Sequence, residues 1–503
     1  MFMSTEKLDV LLAFPGERFS VFDAMVPLGP ASLAAVLEEN DFTVKVVDFN
    51  RYHGDFRSDL ATWQPALVGV GGTTPTRKGS FLTAQLTKEV LPGVPVVYGG
   101  VHASFAAQDT LEHVPFIDYI VKGEGEYTLL ELCRRFVRDE DVDIYALDGL
   151  CWRNGHGVKE NPHARLDDLT SLPPPARHLL ADNAVSKMDI FDLNADFLMT
   201  SRGCPAGCKF CSASRMFPGG VRYRSMQSIQ DELDDLLSRK KIQAIKLFDS
   251  TFTADHRQVR AFCQLISRYN LLWECEIRAD TVDYALLRDM RNAGCCYINV
   301  GLETTSARLL MSMAKNISVQ QTEQVLDWCR LLDIKTKVFF TFGHLTQTFD
   351  ECLQDIRYMA SKKESIDFFA ATAGMRVYPG TPLEKRMLRE GLLPHGFSWA
   401  DYSAPLSNLL VGETGDVLLL RQKQLPLWKL LVVLFKLLCC RTLLNASYVR
   451  KMFRFNLLQL KSAVLLRFVY CGRVIRRFCR PSGNEARRAR ISQRRWPGSR
   501  RVI

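Results

Sequence analysis

Residues 200–217 read TSRGCPAGCKFCSASRMF and place cysteines at 204, 208 and 211, a C-x₃-C-x₂-C spacing. Thiolates ligate soft metals. A closed structural zinc site takes four protein ligands, yet the next histidine is His256 and the next cysteine Cys263, neither at zinc-like spacing. A 4Fe–4S cluster usually takes four cysteines too. Three on a glycine-bearing loop leave one iron with an open position, which suits a catalytic cluster better than an electron store.

Downstream of this loop the sequence alternates strand-like and helix-like segments: AIKLFDSTF, VRAFCQLISRY, WECEIRAD, ALLRDMRNAG, CYINVGLETTS, TEQVLDWCRLL, TKVFFTFG, ECLQDIRYMASKK and DFFAATAGMRVYPGT. That is about six β/α units, most of a TIM-like barrel but too few to close an eight-stranded one. The expected partial (β/α)6 barrel spans 191–405. Upstream, residues 1–145 alternate in the same way (KLDVLLAF, GPASLAAVLEEN, FTVKVVDFN, PALVGVGG, VPVVYGG). The expectation is an α/β, doubly wound parallel sheet of Rossmann-like type. Ligands bind such sheets at the carboxyl ends of the strands, and three glycine segments fall there. They are Gly71-Gly72-Thr73-Thr74, Gly99-Gly100-Val101-His102 and Gly123-Glu124-Gly125-Glu126. Glycine allows close backbone approach to a flat or phosphorylated ligand. A linker over 146–190 contains Pro173–Pro175, which suits a stiff connection.

The composition of the 503 residues is that of a globular chain: 47% hydrophobic and 24% charged. Its length implies two or three domains. MFMSTEKLDVLLAF carries Glu6, Lys7 and Asp9 where an apolar signal core would lie, so a cytoplasmic chain is expected. The 15 cysteines then read as thiols or metal ligands rather than a disulfide framework. The Cys295-Cys296 pair reads as buried packing.

The cysteine spacing, with Phe210 before the last thiol, resembles the radical S-adenosylmethionine (SAM) superfamily. CYINVGLETTSARLLMSMAKN resembles its fourth-strand segment, with Glu303 at the cofactor-contacting glutamate. MRVYPGTPLEKRMLREGLL resembles the last-strand segment, around Tyr378. IKLFDSTFTAD resembles the second-strand segment, with Asp249 at its acidic position. PLGPASLAAVLEENDFTVKVVD, YGGVHAS and KGEGEYTLLEL resemble the cobalamin-binding domain fused to one large subset of that superfamily. The resemblance covers residues 7–395.

It implies a 4Fe–4S cluster on Cys204, Cys208 and Cys211 and SAM near Phe210, Asp249, Arg278, Glu303 and Tyr378. Cobalamin is expected near Thr73, Thr74, Gly99, Gly100, His102, Gly123 and Glu124. An electron donor of flavodoxin or ferredoxin type is implied as partner. One electron then splits the sulfonium, and the resulting 5′-deoxyadenosyl radical takes hydrogen from an unactivated carbon. Methyl transfer through cobalamin is the expected outcome. Oxidative ring closure, as in the anaerobic cyclase of bacteriochlorophyll synthesis, is the alternative, and a cobalamin or cluster sensor without turnover is the rival of another class. The sequence departs from the family pattern twice. The loop PGERFSVFDAMVPLG lacks the D-x-H-x-x-G histidine that ligates cobalt in some cobalamin domains. TFGHLTQTFDE replaces a glycine–proline–glycine–glutamate run and leaves His344 at a strand end, either facing substrate or hydrogen-bonded within its loop. Arg202 and Lys209, beside the cysteines, are candidate carboxylate or phosphate contacts or simply solvated charges.

Charge is uneven. From Arg421 to Ile503 there are 21 Lys or Arg and one acid, Glu485, leaving 44 basic against 54 acidic residues in the first 420. The basic end implies an anionic partner. LPLWKLLVVLFKLLCC and SYVRKMFRFNLLQLKSAVLLRFVY mix apolar bulk with isolated cations. They are too interrupted for a span of about 20 apolar residues and suit helices lying in a membrane interface, or a cap on the barrel. The expectation is a helical basic region over 406–480, a disordered basic tail over 481–503, and peripheral attachment at the inner face of a membrane. Nucleic acid is not expected, since no folded module accompanies the tail. A membrane location implies a small apolar substrate, lipid or tetrapyrrole-like.

Overall fold

Val10–Phe14 (β1) is apolar and buried at every position, as a strand covered on both faces must be. It pairs in parallel with Val44–Asp48 (β2) on one side and Leu67–Gly71 (β3) on the other. Val96–Gly99 (β4) and Tyr119–Val121 (β5) continue the parallel run. The order β2-β1-β3-β4-β5 reverses between β1 and β3, and ligands bind such sheets at that reversal. The computed structural model describes residues 8–15, 18–20, 23–24, 26–181, 186–188, 191–362, 364–402, 418–420 and 422–444.

Two antiparallel strands, Leu150–Arg153 (β6) and Val158–Glu160 (β7), extend the same sheet. The first sheet therefore runs past the boundary expected at residue 145 and takes in the start of the expected linker. The signal was present: Asn154-Gly155 between two short alternating segments is a hairpin turn. The proline segment does not hang free either. Ala176 N donates to Ala31 O at 2.9 Å, tying it to helix Leu28–Glu39.

The second sheet begins with Ser186–Met188 (β8), antiparallel to Leu193–Leu198 (β9). Six parallel strands run from β9 onward, the other five being Ala244–Leu247 (β10), Leu272–Ile277 (β11), Cys295–Glu303 (β12), Lys335–Phe342 (β13) and Phe368–Ala373 (β14). These six strands form the expected partial (β/α)6 barrel, an open half-barrel. Its helix-facing residues form the core, with Trp273 against Phe252 and Phe262 at centroid distances of 5.6 and 5.5 Å. Along β13, Thr336, Val338, Phe340 and Phe342 are buried, whereas Lys335, Lys337, Phe339 and Thr341 alternate with them on the partly open concave face. Cys295 is fully buried and the Cys296 thiol lies 3.6 Å from Met188 Sδ, so the vicinal pair is packing.

Leu418–Leu419 returns to pair with Arg376–Val377 at the barrel rim. Helix Leu427–Leu444 then packs against β14 and helix Phe349–Ser361, burying Leu430, Val433 and Leu437. No helix of the described residues is long and apolar enough to cross a membrane. The second basic segment and the tail over 481–503 lie outside the described residues, as do residues 16–17, 21–22 and 25 of the loop PGERFSVFDAMVPLG.

Candidate active site at the mouth of the half-barrel

The cysteine loop leaves β9 at the carboxyl end of the sheet. Gly203 opens it with φ +111°, and a Cβ there would sit 2.3 Å from Gly220 O. Lys209 pins it through its backbone rather than its charge: its N–H donates to Met313 O (2.9 Å) and its carbonyl accepts from Leu383 N (3.0 Å). Arg215 donates to Cys211 O at 2.9 Å. The thiols face the rim of the barrel. Cys204 Sγ is 3.4 Å from Thr251 Oγ1, Cys208 Sγ 3.8 Å from Arg278 Nη1, and Cys211 Sγ accepts from Ala213 N at 3.4 Å. Burial pushes the Cys211 thiol up; Cys208 and Cys204 add to this and the Lys315 charge opposes it. Among the described residues no three such side chains close on a single metal ion. Three converging thiols flanked by two cations fit a larger anionic cluster.

Asp249 is not free for a cofactor. It accepts from Thr200 N (3.2 Å), Thr200 Oγ1 (2.9 Å) and Ser201 Oγ, and so anchors the strand that enters the cysteine loop. Burial pushes its carboxyl up, against those bonds. Arg278 grips Asp280 with two nitrogens (2.9 and 2.8 Å) and donates to Lys315 O (2.7 Å). Glu303 sits at a β-bulge with φ +72°. Its carboxylate accepts from Lys315 Nζ (3.1 Å) and Thr341 Oγ1 (3.2 Å). Lys315, with its ammonium 5.9 Å from the Phe210 ring, links Glu303 to the cysteine loop. Sequence reasoning missed it, although it lies in the SMAKN run beside Glu303. His344 is buried, with Nε2 3.5 Å from Glu303 O, and burial lowers its pKa to about 4. Its ring is enclosed against the strand end that carries Glu303 rather than facing open space. Tyr378 is half-buried and its carbonyl accepts from Thr381 Oγ1 (2.8 Å). Beside it, a Cβ on Gly380 would meet the Phe105 ring at 2.2 Å, so the last-strand segment touches the first domain.

At the first sheet, the glycines divide into two groups. Gly100 has φ +97° and a Cβ there would lie 2.7 Å from Gly72 O; one on Gly123 would lie 2.3 Å from Ala164 O. These two serve loop packing. A Cβ added at Gly71 would meet nothing within 4 Å and one at Gly99 only Val121 O at 3.9 Å, so the ends of β3 and β4 present open backbone. Thr73 is capped by Thr76 Oγ1 (3.0 Å from its N–H). Thr74 Oγ1 bonds His102 Nδ1 at 3.1 Å. His102 is fully enclosed among Tyr98, Phe81 and Trp399. Burial, helped by the Arg77 charge, lowers its pKa to about 3. It braces the loop from behind rather than standing at the open strand ends.

Glu124 also departs from expectation. Its Oε1 accepts from Arg202 Nη1 (2.8 Å) and its Oε2 from Arg222 Nη1 (2.6 Å) and Leu166 N (3.0 Å). Arg202 Nη2 meets Glu126 Oε1 at 2.6 Å. All four side chains are buried. The charges of Glu124 and Arg202 are taken up by these ion pairs. Together they lock the glycine loop after β5 to the residue two before Cys204. Charges on sequence-remote loops carry no periodic signal, so pattern reading could not pair them.

The two ligand ends thus face each other across a fixed joint, one with open strand-end backbone at a topological reversal and one with three thiols beside Arg278 and Lys315. Comparison with known proteins agrees. Residues 198–359 match the Radical SAM superfamily and residues 19–133 the B12 binding domain. The chain thus carries a B12-binding domain ahead of a radical SAM domain, and these domains bring a 4Fe–4S cluster with SAM, and cobalamin, as cofactors.

Among its relatives is an uncharacterized methyltransferase of Pyrococcus horikoshii, 28% identical over 383 residues, covering 75% of this chain and 81% of that one. An anaerobic magnesium-protoporphyrin IX monomethyl ester cyclase of Cereibacter sphaeroides is 27% identical over 377 residues, 73% of this chain and 60% of the cyclase. The fold matches that of the radical SAM methyltransferase TsrM from Kitasatospora setae, solved with cobalamin and a [4Fe-4S] cluster, with TM-score 0.63 and 21% identity over 76% of this chain and 75% of that one.

Proposed function

We propose that this enzyme transfers a methyl group to an unactivated carbon of a substrate with an apolar body. When bound, the cluster supplies the electron that splits SAM and cobalamin supplies a methyl carrier; the protein supplies position, electrostatics and exclusion of water. Cys204, Cys208 and Cys211 would hold the cluster. Arg278, Lys315 and Glu303 would orient the polar groups of SAM, and the open backbone at Gly71 and Gly99 would receive cobalamin. The observation that carries the reading is the Glu124–Arg202–Glu126 joint. It fixes the cobalamin end of one domain against the cluster loop of the other, as transfer between the two requires.

The helix Leu427–Leu444 exposes Leu427, Trp428, Leu431 and Phe435, with Lys436 also exposed. This face supports attachment to an anionic membrane surface, where an apolar substrate resides.

The test uses anaerobically reconstituted protein with SAM, dithionite and no added substrate. Methyl transfer predicts about one S-adenosylhomocysteine per bound cobalamin. Release of 5′-deoxyadenosine without S-adenosylhomocysteine would contradict it and favour the cyclase reading, for which the 27% identical cyclase stands. Neither product, with cluster present and SAM bound, would favour a sensor.

A further inference from the structure

Below the layer of Arg278 and Glu303, the concave face of the half-barrel carries a row of polar groups that neither the cysteine loop nor the domain joint uses. Strand register pairs Glu276 with Asn299 and Asn299 with Lys337, and Lys337 with Phe368. Neighbours of each along its strand, Cys275 and Ile277, Ile298 and Val300, and Val338, lie in the helix-facing cores, so these side chains share the open side. Glu276 keeps accessible surface, while the surrounding wall still pushes its carboxyl up by burial, against the charges of Lys337 and Lys315. Among the described residues no hydrogen bond or close ion pair engages that carboxyl. The Lys337 ammonium lies over the Phe339 and Phe368 rings at 5.3 and 5.5 Å. Asn299 is only 7% exposed and its Oδ1 has no partner among the described residues. An unpaired buried acceptor is costly and is retained where a ligand completes it.

Resting on the proposed function, we propose that Glu276, Asn299 and Lys337 seat the polar head of the substrate, a group that carries an ammonium beside a carboxylate, as an amino acid does. Glu276 accepts from the ammonium, Lys337 donates to the carboxylate, and the Asn299 amide bridges the two. Phe248, 38% exposed on β10's extension, and Phe339 and Phe368 wall the apolar body. The substrate is then amphipathic, not a plain hydrocarbon.

The experiment is anaerobic titration calorimetry of the full-length holoenzyme with three probes: L-phenylalanine, 3-phenylpropionate and 2-phenylethylamine. L-phenylalanine is expected to bind at least tenfold tighter than either probe that lacks one charge, the loss typical of one charge-assisted hydrogen bond. E276Q removes the advantage over 3-phenylpropionate, and K337M removes the advantage over 2-phenylethylamine. Both variants keep side-chain bulk, and their cobalamin content reports folding. Equal binding of the three probes, no binding, or variants that keep both preferences overturn the seat. So does competition by SAM for L-phenylalanine, which assigns the row to the SAM methionine head. SAM binding and S-adenosylhomocysteine formation are measured on the same preparations. If they persist while discrimination is absent, the seat alone fails. If they vanish while discrimination holds, methyl transfer alone fails.

Discussion

Arg202→Met breaks the joint between the domains at one residue. Arg202 meets Glu124 at 2.8 Å and Glu126 at 2.6 Å, and its side chain is 10% exposed. Glu124 keeps Arg222 and the Leu166 N–H. Glu126 loses more, because its Oε2 already lacks a partner among the described residues. Stranding a buried charge costs about 3–5 kcal/mol. Glu126 is the first residue of helix Glu126–Val137, and the helix N-terminus returns about 0.3–1 kcal/mol. The net expected loss is about 3 kcal/mol, read in urea as a lower midpoint with an unchanged slope. Neutralising the stranded acid should recover part of it: Arg202→Met with Glu126→Gln is expected to be at least ~1 kcal/mol more stable than Arg202→Met alone. A loss below about 1 kcal/mol, or a double variant weaker than the single one, would refute a buried joint of this kind.

Acid sensitivity should trace in part to His102. Its folded pKa is lowered to about 3 by burial, below the ordinary value of about 6.5. Between these values the unfolded chain binds the proton and the folded one does not, so stability falls as pH drops. His102→Gln is expected to flatten the stability-against-pH slope near pH 5 by about 1.4 kcal/mol per pH unit; the same slope in both proteins would show that His102 is not held neutral. Gly100→Ala places a Cβ 2.7 Å from Gly72 O at φ +97°. It should lower cobalamin per chain while leaving iron per chain unchanged, and parallel loss of both would place the fault in global folding instead.

Much of the fold was legible because alternation and glycine punctuation are local signals. β1 is wholly apolar, the strands of the half-barrel follow one another in order, and the three thiols sit within one loop. What the sequence hid was long-range. Glu124 read as a cofactor contact and Arg202 as an anion contact or a solvated charge, since 78 positions separate them and only folding shows that they neutralise each other. Asp249 likewise has the residue type of a cofactor contact and the bonds of a structural post. Glu276, Asn299 and Lys337 were legible in principle, as polar residues inside strands whose other face is apolar. Their common row needed the register.

In the proposed site three thiolates leave one iron of a four-iron cluster open to SAM. Mössbauer spectra of anaerobically reconstituted, iron-57-enriched protein test this most directly. Four irons per chain are expected, one of which shifts to a distinct site when SAM is added. Four equivalent irons that ignore SAM, or zinc with no sulfide, would contradict it.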